Sequence, residues 1–295
     1  MVETARFWED LGFYGTDGEF HIHAVTGPDE YTTVVNDNTY TNLMARLNLS
    51  YAANTVRLLR EERPDAYTAL AHEVDLRPDE VESWERAAAA MHVPYDKERG
   101  IHPQDDTFLK REVWDLTEHT PGEIPAATAL PPVGDLPVSG HQTGRYRAGH
   151  VLARQRILNE QKRRNYEYYD PLTTGDSSLS ACVQSILAAE IGNDRQALQY
   201  FNFALLMDLA DIAGNTSDGV HIASAAGVWA SLVFGFGGVR DFDGDLSFEP
   251  MLPRMWTSLS FSLRFCDRQI RVRISHEEET YVVDEGGPLR GHRSR

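Results

Sequence analysis

The spacing of apolar residues changes once in this chain, at Gly237-Gly238, and that change limits what the chain can fold into. Before it, apolar side chains recur at helical intervals. Between Thr39 and Glu61 they fall at Tyr40, Leu43, Met44, Leu47, Tyr51, Val56, Leu58 and Leu59, the pattern of a helix with one buried face. The same spacing returns at Ser178–Ile191, stopped by Gly192, and at Asp194–Ala213, stopped by Gly214. Glycine tolerates the left-handed backbone of a helix end. A last helical stretch covers His221–Phe236. Pro64 and Pro78 open two shorter helices that reach about Val74 and His92, because proline suits a first helical turn. Residues 1–11 look like the end of a further helix, and 94–122 like a loop. After Gly238, Leu259, Phe261, Leu263 and Phe265 alternate with Ser260, Ser262 and Arg264, and Ile270, Val272 and Ile274 alternate with Arg271 and Arg273. Period two means strands, joined by a tight turn near Cys266-Asp267-Arg268. The expectation is a mainly α chain over 1–238, followed by a small β domain over 239–295 with a loose tail from Gly286.

Charge narrows the partners. The 45 acidic and 28 basic residues leave a net charge of −17. Such a chain repels phosphate backbones and anionic lipid, which excludes nucleic acid and membrane surfaces as partners. Two cysteines, Cys182 and Cys266, make no disulfide framework in 295 residues, and point to a reducing, cytoplasmic setting. The opening MVETARFWEDLG has no basic or apolar leader region, so no signal peptide is expected there. The most apolar stretch, Ala223 to Phe236, is too short and glycine-rich to span a bilayer.

Four groups of residues could carry chemistry. Alternation in His21-Ile22-His23 places two imidazoles on one face, a possible metal pair. The neighbouring sequence supplies no third ligand, so they read as core or loop histidines, and no metal or cofactor is assigned. Gly27-Pro28 then forces a turn that presents Asp29-Glu30 at its tip. The loop runs on through Val34-Val35-Asn36-Asp37-Asn38, a long polar loop of the kind that holds binding residues. His102-Pro103-Gln104-Asp105-Asp106 is best explained by helix capping and loop hydrogen bonds, and Asp176, Ser177 and Ser178 by capping of the next helix. Asp218-Gly219-Val220-His221-Ile222-Ala223-Ser224 is a turn feeding a helix start. Unpaired N–H groups and the helix dipole there favour an anion such as phosphate. Residues 123–158 follow neither period, and a structureless run of that length is unusual inside a helical domain.

The strings TARFW, VTGPDEYTTVVNDNTYTNLMARLNL, IHPQDDTFLKREVWDL, EQKRRNYEYYDPLTTGDSSLS, DGVHIASAAGVW and LSFEPMLPRMWTSLSFSLRF together resemble glycoside hydrolase family 65, the inverting disaccharide phosphorylases. They occur in the family's order and cover most of the chain outside 123–158. The resemblance implies the second half of an (α/α)6 barrel followed by a small C-terminal β-sandwich. It makes Glu30 the general acid that protonates the glycosidic oxygen. It makes His221 and Ser224 the residues that hold inorganic phosphate, the co-substrate that attacks the opposite sugar face. A hydrolase on this fold would place a carboxylate there instead, and no Asp or Glu lies between His221 and Phe236. The implied substrate is an α-linked glucose disaccharide (trehalose, kojibiose or maltose, the VVNDN and MARLN wording being closest to trehalose-type members), with β-glucose 1-phosphate and glucose as products.

Two departures qualify what this chain does alone. Family chains are much longer, so the N-terminal β-domain and the first half of the barrel are not in this sequence. Covering a half-barrel's apolar faces would take a separate N-terminal half or a second copy. In the region of 123–158 the family carries a Lys-Gln-Ala-Asp motif that holds the donor glucose, and it is missing here. Permitted codons for this segment, shifted by one base, give a family-like run ending in that motif, which marks 123–158 as frame-slipped and poorly ordered. The expectation is therefore a phosphorylase-type chain that is inactive by itself. The alternatives are an inverting α-glucoside hydrolase and a non-catalytic remnant packed against a separate N-terminal half.

Overall fold

The computed structural model describes residues 1–28, 34–111, 159–173, 178–212, 214, 216–241, 246–288 and 292–293. These form two compact units, one from residues 1–111 and 167–173, the other from 159–166 and 178–293. The expectations for Asp29, Glu30, Asp176, Ser177 and 123–158 lie outside the described residues.

The first unit contains helix α1 (Val2–Leu11), the hairpin strands β1 (Phe13–Tyr14) and β2 (Phe20–His21), and helices α2 (Thr39–Glu62), α3 (Pro64–Glu73) and α4 (Glu80–Ala90). Helix α2 starts where expected because the Asn38 side chain accepts a hydrogen bond from Thr41 N at 3.0 Å, satisfying one of the donors a helix start leaves open. Pro64 occupies the first turn of α3, where its missing N–H costs nothing. The helix expected from Pro78 begins two residues later, at Glu80. Ala45, Leu49, Ala52, Ala53 and Val56 of α2 pack with Trp84, Ala87 and Ala88 of α4, and Phe20 and Ile22 join the same core. The alanine methyls are too small to hold the helices apart. Burying Phe20 and Ile22 turns the alternate residues, His21 and His23, to the other side.

The second unit contains α5 (Asn159–Tyr169) up to Tyr166, then α6 (Ser180–Glu190), α7 (Asp194–Leu206) and α8 (Ile222–Ala230), which widens into a π-helical turn over Ser231–Phe236. Strands β3 (Val239–Arg240), β4 (Ser247–Phe248) and β8 (His292–Arg293) form one sheet, and β5 (Ser258–Phe265), β6 (Arg268–Ser275) and β7 (Glu279–Glu285) an antiparallel meander. Cys266 and Asp267, with φ of 48° and 59°, make the two-residue turn between β5 and β6, matching the right-handed twist of paired strands. Phe248 and Tyr281 meet at a centroid distance of 4.3 Å between the two sheets. One core joins Ile186, Ala189, Phe201 and Phe236 to Leu259, Ile270, Val272 and Ile274. The change of period at 238 therefore marks a change of element, while the core runs across it. Among the described residues no helix is long and apolar enough to cross a membrane.

Two features of this unit matter below. Helix α7 ends at Leu206, not at Ala213 as its spacing suggests. Residues 207–212 turn instead, with Asp211 at φ 46°, and this brings Asp208 to His221. Helix α8 lies so close against α6 that a Cβ at Gly227 would collide with Cys182 Sγ. Ser231 Oγ donates to Cys182 O at 3.2 Å across the same contact.

Candidate functional site

In the first unit, the chain between β2 and α2 is pinched at its neck. Val25 N donates to Val35 O at 3.0 Å, Val35 N to Val25 O at 2.8 Å, and Asp37 N to Ile22 O at 2.8 Å. Ala24 N donates to Asn36 Oδ1 at 3.1 Å. Asp37 takes a left-handed backbone, φ 48°, which turns its carboxylate inward to 1% exposure. Its Oδ1 accepts from Ile22 N and from Asn42 Nδ2, each at 3.1 Å. Its Oδ2 lies 3.0 Å from His21 Nδ1 and 3.2 Å from His23 Nε2. The other nitrogen of His21, Nε2, faces Asp17 Oδ2 at 3.2 Å. Burial disfavours the His21 imidazolium, yet Asp37 and Asp17 outweigh burial and hold its pKa above the ordinary histidine value. Burial likewise pushes Asp37 up, and His21 and Asn42 more than reverse it.

His92 stacks on His21 at 4.8 Å. Its Nδ1 bonds Glu19 Oε2, and its Nε2 lies 3.8 Å from Asp106 Oδ1. Burial, and then the nearby Asp37, raise the Asp106 carboxyl above the usual range. The His21–His23 pair thus has a third partner 14 residues beyond His23. That partner was missed because an aspartate before a helix reads as a loop or capping residue. The rest of the 102–106 group does what was expected: Asp105 Oδ1 accepts from Thr107 N at 2.8 Å, and Gln104 O accepts from Thr39 N at 2.9 Å. His102 Nδ1 pairs with Pro94 O at 2.8 Å, and burial lowers its pKa.

In the second unit, His221 stands at the N-cap of α8. Asp208 holds it twice: Oδ1 lies 2.6 Å from His221 Nδ1, and Oδ2 accepts from His221 N at 2.8 Å. Those two hydrogen bonds depress the Asp208 carboxyl below its ordinary range. Ser224, in the first turn of α8, is 1% exposed, and its Oγ has no hydrogen-bond partner among the described residues. The flanking Val220 and Ile222 are exposed. A helix N-terminus, an imidazole fixed in orientation and a hydroxyl without a partner among the described residues are suited to receiving an anion. Asp208 is a carboxylate beside His221 that a search of 221–236 does not meet, because it comes from a turn where the spacing reads as helix. Both of its oxygens are engaged with His221, so it orients the ring.

The chain is similar in structure to a solved putative kojibiose phosphorylase from the human microbiome, with a TM-score of 0.77 at 25% identity, covering 99% of this chain and 43% of that one. Residues 1–230 match the glycosyl hydrolase family 65 central catalytic domain and residues 239–291 the glycosyl hydrolase family 65 C-terminal domain. The chain belongs to glycosyl hydrolase family 65. It is 40% identical to the α,α-trehalose phosphorylase of Thermoanaerobacter brockii over 98% of its own length, which is 38% of that protein. It is 43% identical to the α,α-trehalose phosphorylase of Geobacillus stearothermophilus over 93% of this chain and 36% of that one. The chain therefore spans less than two fifths of the length of these relatives.

Proposed function

We propose that this chain is part of an inverting disaccharide phosphorylase acting on an α-linked glucose disaccharide of the trehalose type, and that its helices are part of an (α/α)6 barrel. Glu30 donates its proton to the glycosidic oxygen as the bond to the anomeric carbon breaks, and the leaving sugar takes that proton. An oxygen of inorganic phosphate forms the new bond from the opposite face, so the α-linkage yields β-glucose 1-phosphate. His221, oriented by Asp208, and Ser224 at the start of α8 hold the phosphate. The observation that carries this reading is the buried Ser224 Oγ, without a hydrogen-bond partner among the described residues and one helical turn from His221: a ligand oxygen would satisfy such a hydroxyl at a helix start. The trehalose preference is supported by identities of 40% and 43% to the two trehalose phosphorylases against 33% to a maltose and a kojibiose phosphorylase.

By this reading the chain alone is inactive, since positioning supplies several kcal/mol of an enzyme's barrier reduction and the donor-holding Lys-Gln pair is missing from 123–158. A second reading, hydrolysis, has one observation in its favour, the Asp208 carboxylate at His221. One assay separates them. The chain, alone and joined to the remaining part of a trehalose phosphorylase, is incubated with trehalose with and without phosphate. Phosphate-dependent release of β-glucose 1-phosphate by the joined protein only is expected. Full-rate cleavage without phosphate would make the protein a hydrolase, and turnover by the chain alone would end the claim that it is inactive.

A further inference from the structure

We infer that the neck of the β2–α2 loop is a divalent-cation site, with His21 Nδ1, His23 Nε2 and Asp37 Oδ2 as ligands and zinc as the ion. The three atoms lie within 4.8 Å of one another, and Asp37 Oδ2 is 3.0 and 3.2 Å from the two ring nitrogens. Ligand atoms at zinc bond lengths of about 2.1 Å and near-tetrahedral angles stand about 3.4 Å apart, and Asp37 Oδ2 is within a few tenths of an ångström of that distance from each ring nitrogen. Two imidazoles and one carboxylate, with a position left for water, is a zinc donor set.

The surroundings match what metal ligands require. Ligating histidines hold their outer N–H on a carboxylate, and ligating carboxylates are themselves hydrogen-bonded. His21 Nε2 faces Asp17. Asp37 Oδ1 is fixed by Ile22 N and Asn42 Nδ2, which leaves Oδ2 for the ion. Asp37 also lies within 4.8 Å of ligand atoms of His92 and Asp106, and the His92 Nε2 to Asp106 Oδ1 gap of 3.8 Å is too long for a direct hydrogen bond. The site uses residues of the first unit only and does not depend on the phosphorylase reading.

The test is equilibrium dialysis of the full chain against Zn²⁺ after chelator treatment, with far-UV circular dichroism as the fold check. One tight equivalent is expected, with the visible spectrum of a low-symmetry site when Co²⁺ replaces it. His23→Ala removes a half-exposed ligand and should weaken binding by more than about tenfold. Asp17→Asn changes the outer partner on an exposed side chain, keeps an oxygen to accept from Glu19 N, and should weaken it about 10- to 100-fold. Failure of the parent chain to bind zinc, or equal binding by parent and both folded variants, would overturn the site.

Discussion

Asp208 grips His221 at both ends of one carboxylate, Oδ1 on the ring Nδ1 at 2.6 Å and Oδ2 on the backbone N at 2.8 Å. A side chain that fixes the ring and the N-cap together sets where the imidazole stands relative to the start of α8. Asp208→Asn keeps the size but loses the charge and one acceptor. Weaker binding of inorganic phosphate is expected, with unchanged helix content, measured by calorimetry on the chain. Unchanged affinity would place the anion elsewhere.

Ser224→Ala makes a two-sided test. An unsatisfied buried hydroxyl costs about 1–3 kcal/mol, so in phosphate-free buffer the variant should match the parent or exceed it by about 1 kcal/mol in denaturant unfolding. The stabilisation that added phosphate confers on the parent should shrink. A clear loss of stability without phosphate would mean that Ser224 Oγ already has a structural partner.

Glu190 is buried between Lys162 at 2.7 Å and Arg240 at 3.0 Å. Replacing it with Leu leaves two buried cations without their anion and should cost about 3–5 kcal/mol. Burial pushes the Glu190 carboxyl up, but Arg240 and Lys162 outweigh burial and leave it below the usual range. The sign follows: the unfolded chain binds this proton at higher pH than the native one. The contribution is whole above the ordinary glutamate pKa of about 4.3 and drains away as pH falls through the native value. Denaturant midpoints taken on both sides of that pKa should show a steeper acid loss in the parent than in Glu190→Leu.

Gly227→Ala should destabilise by about 1–3 kcal/mol, because the added methyl meets Cys182 Sγ. Cys182→Ala should recover part of that loss, and the pair should be non-additive in a double-mutant cycle. Additive effects would mean that α8 shifts to relieve the contact.

The elements were largely legible in the sequence because their causes are local. The two-period stretches around Cys266-Asp267, the Asn38 cap and Pro64 each act within a few residues. What escaped reading was what long-range contacts decide. The turn over 207–212 overrides a helical spacing because Asp208 is engaged by His221, and helix propensity is a weak prior against such a contact. The short pairs β1–β2 and β3–β4 have two residues per strand, too few to show a period. Of the site, the α8 start at His221 was visible as a turn feeding a helix, while Asp37 and His92 reach His21, and Asp106 reaches His92, only through the fold.

The β5–β6–β7 meander has a kinetic consequence. Its outermost β5–β6 pairing joins Ser258 to Ser275, so every contact in that hairpin closes a short loop, and hairpins of this kind form in about 1–10 μs. The helices that share its core lie far upstream in sequence, from Ile186 to Phe236, and closing those longer loops is slower. If these loop closures set the order of folding, substitutions at Ile270 or Val272 should slow refolding in stopped-flow measurements more than equally destabilising ones in α7.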